Sequence, residues 1–106
     1  MSDLEWLQDW YSSKVDGEWE HNDGIQIDTL DNPGWSLKIA LKGTSLSTSE
    51  AHEFSENKSE MDWIHWRVQN GRFEGYGGAG NLTSLIAIFR KWVTGSMASD
   101  SEGRND

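Results

Sequence analysis

The spacing of apolar residues divides the chain into two helical ends and a middle section of short strands. Near the N-terminus, apolar residues recur at helical intervals, and Ser2 followed by Glu5 has the signature of a capping box. We therefore predict a helix from about Asp3 to Lys14. Towards the other end, Asn81 is a suitable N-cap for a second helix. The apolar residues of that helix follow the i, i+3, i+4, i+7 rule: Leu82, Leu85, Ile86, Phe89, Trp92 and Val93.

Between the two helices, apolar and polar residues alternate in five short runs, as they do in strands with one buried face. A first hairpin joins two runs through the turn Asp31–Gly34. A weaker strand near Glu50–Asn57 is expected at an edge of the sheet. A second hairpin joins Asp62–Gln69 to Arg72–Tyr76 through Asn70-Gly71, a strong hairpin signal.

These elements predict an α+β fold. It is an antiparallel sheet of about five strands, two hairpins plus an extra strand, with the N-terminal and C-terminal helices packed on one face. The segment Glu18–Gly24 shows no clear period and is expected to be an ordered loop. The glycines of Gly75–Gly80 predict a tight connection from strand to helix. We predict a single domain over residues 1–94 and a flexible polar tail over residues 95–106.

The composition supports a compact core in spite of a low apolar content. Hydrophobic residues make up 35% of the 106 positions, but seven of them are tryptophans, which bury large areas. We expect Trp6, Trp10, Trp35 and Trp92 in the core. The chain has no cysteine, which excludes disulfides, thiolate nucleophiles and cysteine-ligated metal sites.

Negative charge is concentrated in the first third of the chain. The net charge is −9, and residues 1–31 contribute −8 of it through nine carboxylates and a single lysine. Such a field repels nucleic acid and anionic membranes and accelerates encounters with a cationic partner; the simpler alternative is that it maintains solubility. With no signal sequence and no apolar run of membrane length, we expect a soluble, cytoplasmic protein.

The strand Asp62–Gln69 presents a candidate binding surface, because alternation sorts its side chains onto two faces. If Ile64, Trp66 and Val68 meet the helices, the opposite face carries an aromatic ring, an imidazole and a guanidinium in a row: Trp63, His65 and Arg67. Tryptophan and arginine are enriched at binding hot spots. The alternative is a partly covered secondary cluster with no partner.

The loop 18–23 combines three carboxylates, an imidazole and an indole, which raises the question of a metal site. Its spacing matches neither a calcium loop nor a zinc-protease motif, so we predict no metal and no cofactor. The histidines His21, His52 and His65 are scattered singly, and no serine-nucleophile or phosphate-loop motif occurs. The sequence therefore predicts a protein that is not an enzyme.

Five segments together give the chain a resemblance to a known family. They are Trp6-Leu7-Gln8-Asp9-Trp10-Tyr11, Asp16-Gly17-Glu18-Trp19-Glu20-His21, Thr29-Leu30-Asp31-Asn32-Pro33-Gly34-Trp35, Asp62-Trp63-Ile64-His65 and Gly71-Arg72-Phe73-Glu74-Gly75. On these segments the chain resembles the immunity protein 53 family from about Leu4 to Val93. The resemblance implies a protein encoded beside a bacterial polymorphic toxin, which it neutralises by tight stoichiometric binding. The acidic first third is suited to a basic toxin such as a nuclease.

Polar groups that flank an aromatic ring suit a desolvated, hydrogen-bonded protein interface. On that ground we expect contact with the cognate toxin domain at ten residues: Asp16, Glu18, Trp19, Glu20, His21, Asp31, Asn32, Asp62, Trp63 and His65.

Two other functions remain open from the sequence. The first is a small-molecule-binding or small enzymatic domain with a site near the Glu18–Asp23 loop. The second is a structural domain that dimerises through the sheet edge near Glu50–Asn57. The charged residues of that edge favour a monomer instead.

Overall fold

A computed structural model of the chain describes residues 2–22, 24–42, 52–69 and 71–95. Within them lie the helices α1 (Asp3–Lys14), α2 (Trp19–Asn22) and α3 (Leu82–Val93). The strands are β1 (Ile25–Leu30), β2 (Gly34–Ala40), β3 (His52–Asn57), β4 (Trp63–Gln69) and β5 (Arg72–Gly77). The predicted α+β class is thereby confirmed. The sequence also predicts a polar connection over residues 43–49, which lies outside the described residues, as do Asn70 of the second hairpin turn and the tail from residue 96 onward.

The helix α1 begins where the sequence predicts, because both halves of the capping box form. The Glu5 amide donates to Ser2 Oγ over 3.1 Å, and the Ser2 amide donates to Glu5 Oε1 over 2.9 Å. In the same turn, Asp3 accepts a hydrogen bond of 3.1 Å from Arg90 Nη1 of α3. The start of α1 is therefore fixed to α3 by a charge-assisted contact.

The five strands form one antiparallel sheet in the order β1-β2-β5-β4-β3. This order makes β1 and β3 the two edges, which confirms the edge position predicted for β3. In the register, Ile39 lies opposite Ile25 on one side and Phe73 on the other. Directly opposed residues of antiparallel strands share a face, so this row marks the face that meets the helices.

Aromatic rings from three elements meet at the centre of that face. Phe89 of α3 contacts Phe73 of β5 and Trp10 of α1 edge-on, with 5.0 Å between ring centroids in each pair. The predictions for Trp10 and Trp92 are confirmed, since both are buried. Trp6 and Trp35 are only partly buried, although both pack against the core.

The short helix α2 lies within the segment for which the sequence predicts a loop. A four-residue helix makes little more than one turn, which is too short for a hydrophobic period to show. Trp19 anchors it: the side chain is 6% exposed, and its Nε1 donates to the carbonyl of Ala40 over 2.9 Å. The ring also contacts that of Trp10 at 5.7 Å between centroids.

The connection from β5 to α3 is tight because the backbones of three segments converge there. A Cβ atom on Gly78 would collide with the carbonyl oxygen of Met61. Asn81 occupies the N-cap position as predicted, but its side chain makes no capping hydrogen bond to α3. Its Oδ1 instead accepts from the amides of Gly78, at 3.1 Å, and Trp63, at 3.3 Å. Asn81 therefore joins the start of β4 to the start of α3.

Candidate functional site

The strand β4 divides its side chains between two faces as the sequence predicts. Val68 lies opposite Phe73, and Trp66 lies opposite Phe54 and Gly75, on the face that meets the helices. Among the described residues, no helix packs on the other face, which we call the open face. Its charged, hydroxyl and aromatic members are Asp28, Ser36, Lys38, Glu53, Ser55, Trp63, His65, Arg67, Arg72, Glu74 and Tyr76.

Both nitrogens of His65 on the open face have partners on the edge strand β3. Ser55 Oγ lies 2.9 Å from Nδ1, and Glu53 Oε2 lies 3.3 Å from Nε2. The ring of Tyr76 on β5 is 6.2 Å away between centroids. Serine, imidazole and carboxylate in series have the composition of a hydrolase relay, but the Glu53 side chain is 65% exposed. The observed contacts hold the imidazole in a fixed orientation on an exposed surface.

Arg67 and Glu74 form a short ion pair on the open face. Arg67 Nε donates to Glu74 Oε1 over 2.7 Å, and the hydrogen bond and charge of Glu74 raise the pKa of the guanidinium. The register continues the row on both sides, to Glu53 on β3 and to Lys38 on β2. Negative and positive side chains therefore alternate across four strands.

A shallow depression lies at one end of the open face, where β1 starts and β2 ends. It has a volume of about 80 Å³ and is lined by Gly24, Gln26, Lys38, Ile39, Ala40 and Arg72. Ligand pockets for small molecules are usually about 300–1,000 Å³. The depression can therefore hold one side-chain-sized group and is too small for a typical metabolite.

Two of the predicted contact residues near α2 have structural roles. Asp16 Oδ1 accepts from the amides of Glu18, at 2.9 Å, and Trp19, at 3.0 Å. The carboxylate of Glu20 accepts from the amides of Asp16, at 3.0 Å, and Gly17, at 2.7 Å. These backbone hydrogen bonds lower the pKa of both carboxyl groups. Glu18 and His21 are exposed.

The other predicted contact residues lie at or near the opposite end of the sheet. Asp31 and Asn32 are exposed in the β1–β2 turn, while Asp62 Oδ1 accepts from Asn81 Nδ2 over 3.1 Å. Trp63 and His65 are partly exposed on β4. Asn81 was missed as a member of this site, since an asparagine before a helix suggests a cap and its tertiary partners are about twenty residues away.

The ten predicted residues therefore do not form one cluster. The groups around α2 and around the β1–β2 turn lie at the two ends of strands of six or seven residues, roughly 20 Å apart. Trp19 is removed from the predicted contact set, because a side chain so deeply buried cannot reach a partner without unfolding α2. The open face also carries residues outside the predicted set, chiefly Arg67, Glu74 and Tyr76.

Within residues 2–22, 24–42, 52–69 and 71–95, no group of three or more histidine, aspartate or glutamate side chains is placed to hold a metal ion. In the same residues, no helix has the length and apolar character needed to cross a membrane.

Comparison with known proteins links the chain to one family. The family model described as immunity protein 53 matches residues 4–94, which include every described helix and strand except the first residue of α1. Neither the curated proteins nor the solved structures gave a match.

Proposed function

The chain belongs to the immunity protein 53 family, and we propose from this membership that it neutralises a cognate bacterial toxin by binding it in a stoichiometric complex. The single observation that carries the proposal is the family match over residues 4–94. In this proposal the protein acts in the cytoplasm as a monomer and catalyses nothing. Residues 1–94 form the inhibitory domain, and the tail 95–106 is dispensable.

We place the toxin on the open face. Partly exposed Trp63, His65, Arg67 and Tyr76 supply the aromatic and arginine side chains that dominate binding energy at protein interfaces. The fixed orientation of His65 reduces the entropy lost on binding. At longer range, the exposed carboxylates of the acidic first third attract a basic toxin.

The predicted contact residues contribute unequally in this proposal. Glu18, His21, Asp31 and Asn32 are exposed and available for direct contact, together with Trp63 and His65. Asp16, Glu20 and Asp62 shape the surface through the hydrogen bonds that they make within the chain. The alternative of a small-molecule site near the α2 loop gains no support from the depression beside Gly24, because its volume is about 80 Å³.

The proposal is tested by co-expression with the toxin domain encoded beside this chain. We expect growth to be restored and a 1:1 complex to co-purify.

Trp63→Ala should weaken the complex at least about tenfold, as truncation of an aromatic hot spot does, with an unchanged melting temperature. Its matched control, Trp19→Ala, should instead lower stability by about 3–5 kcal/mol through loss of a core indole.

Two outcomes would contradict the proposal. If the toxin remains lethal and no complex forms with the wild-type chain, the immunity function is refuted. If the complex forms and Trp63→Ala binds as tightly as the wild type, the function stands but the open face is not where the toxin binds.

A further inference from the structure

The strand β1 is one edge of the sheet, and a hydrogen bond shows which of its backbone groups face outwards. The amide of Ala40 donates to the carbonyl of Gly24 over 3.0 Å, so these two residues form a hydrogen-bonded pair of the antiparallel ladder. Such pairs alternate along a ladder, so every second residue of β1 directs its amide and carbonyl towards β2. The residues between them direct theirs away from the sheet: Ile25, Ile27 and Thr29.

A second hydrogen bond, on the other side of β2, agrees with this phase. The amide of Leu41 donates to the carbonyl of Gly71 over 2.8 Å, so odd-numbered residues of β2 bond to β5 and even-numbered ones bond to β1. Among the described residues, no strand lies beyond β1 and no group bonds to its outward amides and carbonyls. Residues 26–29 are exposed. The edge of β1 therefore offers a row of three donors and three acceptors.

The opposite edge of the sheet is less suited to receiving a strand. Glu53 and Glu56 place two carboxylates on β3, and charged side chains on an edge strand hinder pairing with another strand. β1 carries one charged residue, Asp28, and it contains no lysine or proline. On the face that meets the helices, Ile27 is 40% exposed, although Leu37 directly opposite it is fully buried. A strand added beside β1 would cover Ile27.

We propose that an extended segment of the toxin pairs with β1 and adds a sixth strand to the sheet. The proposal rests on the proposed function, since it names a contact within the same complex. Backbone hydrogen bonds to the outward groups of β1 hold the segment, and side chains opposite β1 give specificity. On the face that meets the helices, the toxin residue opposite Ile27 is apolar. On the open face, the toxin residue opposite Asp28 is a lysine or an arginine.

Charge favours the toxin over a second copy of this chain at this edge. Two copies can pair their β1 strands antiparallel about Ile27, but Asp28 then lies opposite Gln26 of the second copy and gains no cation. That arrangement also brings together two segments of net charge −8, residues 1–31 of each copy. A basic toxin segment replaces this repulsion by attraction. Because Asp28 also belongs to the open face, one toxin domain can cover the edge and the open face together.

Amide hydrogen exchange, followed by NMR on the wild-type chain, tests the inference. In the free chain the amides of Gln26 and Asp28, which bond to β2, should exchange slowly, and the outward amides should exchange fast. In the complex with the toxin domain encoded beside this chain, we expect exchange to slow at least about a hundredfold at three amides, those of Ile25, Ile27 and Thr29.

The opposite edge supplies the matched control within the same sample. The amide of Lys58 donates to the carbonyl of Asp62 over 2.9 Å, which continues the β3–β4 ladder and fixes its phase. The outward amides of β3 are therefore those of Glu53, Ser55 and Asn57. Their exchange should slow less than about tenfold in the complex, because no strand is added there.

Two substitutions at one position separate the backbone contact from the side chain. Ile27→Pro removes an outward amide without removing a hydrogen bond to β2, and it should raise the Kd for the toxin domain at least about tenfold in surface plasmon resonance. Ile27→Ala keeps the amide and should raise Kd less than about fivefold. Thermal melts verify folding. If Ile27→Pro does not fold, Asp28→Lys replaces it, because it leaves every backbone bond in place and should also raise Kd at least about tenfold.

The outcomes separate this inference from the proposed function. If the toxin binds and the outward amides of β1 exchange as fast as in the free chain, the inference is wrong and the immunity function stands. The same holds if protection appears at β3 instead. If the wild-type chain does not bind the toxin, both fail. If the outward amides of β1 are already protected in the free chain, the edge is occupied by the chain itself, or by a second copy where protection rises with concentration, and the toxin assignment is overturned.

Discussion

At the scale of single residues, two positions fix the end of the sheet that carries Trp63. Asn81 contributes a side-chain amide, and Gly78 has no side chain, so two backbone segments can approach closely there. Asn81 is buried and satisfies the amides of Trp63 and Gly78 together with the carboxylate of Asp62. This arrangement requires the chain at Gly78 to pass close to the backbone of Met61. The position of Trp63 on the open face thus depends on Asn81 and Gly78, both of which are buried.

Gly78 and Gly80 both lie in the connection between β5 and α3. Substituting each of them with alanine tests whether the backbones at Gly78 and Met61 approach this closely. Gly78→Ala should destabilise the fold by about 2 kcal/mol or more, because the new methyl group meets the Met61 carbonyl, which cannot move without shifting the β3–β4 turn. Gly80→Ala should be neutral or stabilising by up to about 1 kcal/mol, since a Cβ there meets no atom within 4 Å. Urea denaturation of both variants measures the difference. Equal stabilities would show that the backbones do not approach as described.

The residues that the sequence identifies correctly are placed by local properties of the chain. The residues that it misses are placed by contacts with distant positions. Trp63 and His65 were placed on the correct face because strand alternation is a local property. The burial of Trp19 was missed, since it depends on Ala40, twenty-one residues away. The pairing of Arg67 with Glu74 was not predicted, because it depends on how β4 pairs with β5. The contacts and pairing register of segments far apart in the chain decide where these residues lie, and neither can be read from a single sequence.

At the scale of elements, α2 depends on carboxylates more than on helical propensity. Asp16 and Glu20 each accept two backbone hydrogen bonds that close the turn before the helix. The longer elements follow from local pattern: the capping box predicts α1, and the apolar spacing predicts α3. A helix of one turn has neither a capping box nor an apolar period. The helix α2 forms because Trp19 enters the core and because the side chains of Asp16 and Glu20 close the turn before it.

The carboxylates of α2 predict a specific loss of stability in acid. Their folded-state pKa values lie below the usual 3.8 for Asp16 and 4.5 for Glu20, so the ionised forms stabilise the fold. That stability is fully present above about pH 5 and is lost as the pH falls through the lowered folded values. The double variant Asp16→Asn/Glu20→Gln should therefore melt below the wild type near pH 7 and approach it near pH 3.

Calorimetric melts at several pH values measure this difference. Glu18→Gln is the matched control, because no described residue hydrogen-bonds the Glu18 carboxylate, and its melting curve should follow that of the wild type. A constant gap between the double variant and the wild type at all pH values would mean that the ionised carboxylates do not stabilise α2. Glu5 also has a lowered pKa, through its bonds to Ser2, so some acid sensitivity should persist in every variant.

At the scale of the whole molecule, the negative charge of the first third has two separate uses. Asp3 pairs with Arg90, and Glu5, Asp16 and Glu20 bind backbone amides, so these carboxylates stabilise the fold. The exposed carboxylates without such a role among the described residues are Asp9, Glu18, Asp28 and Asp31. Both sets of carboxylates contribute to the long-range electric field that acts on a partner. Only the four exposed carboxylates can be neutralised without destabilising the fold.

This division predicts how salt and mutation affect binding to a basic toxin. Raising ionic strength from about 0.05 M to about 0.5 M should slow association at least about tenfold and change dissociation little, because steering acts over distances that salt screens. Changing Asp9, Glu18, Asp28 and Asp31 to their amides should reduce this salt dependence while leaving the melting temperature within a few degrees. Stopped-flow association rates measure both effects. If association is insensitive to salt, the field does not steer the toxin, and binding must rest on the short-range contacts of the open face.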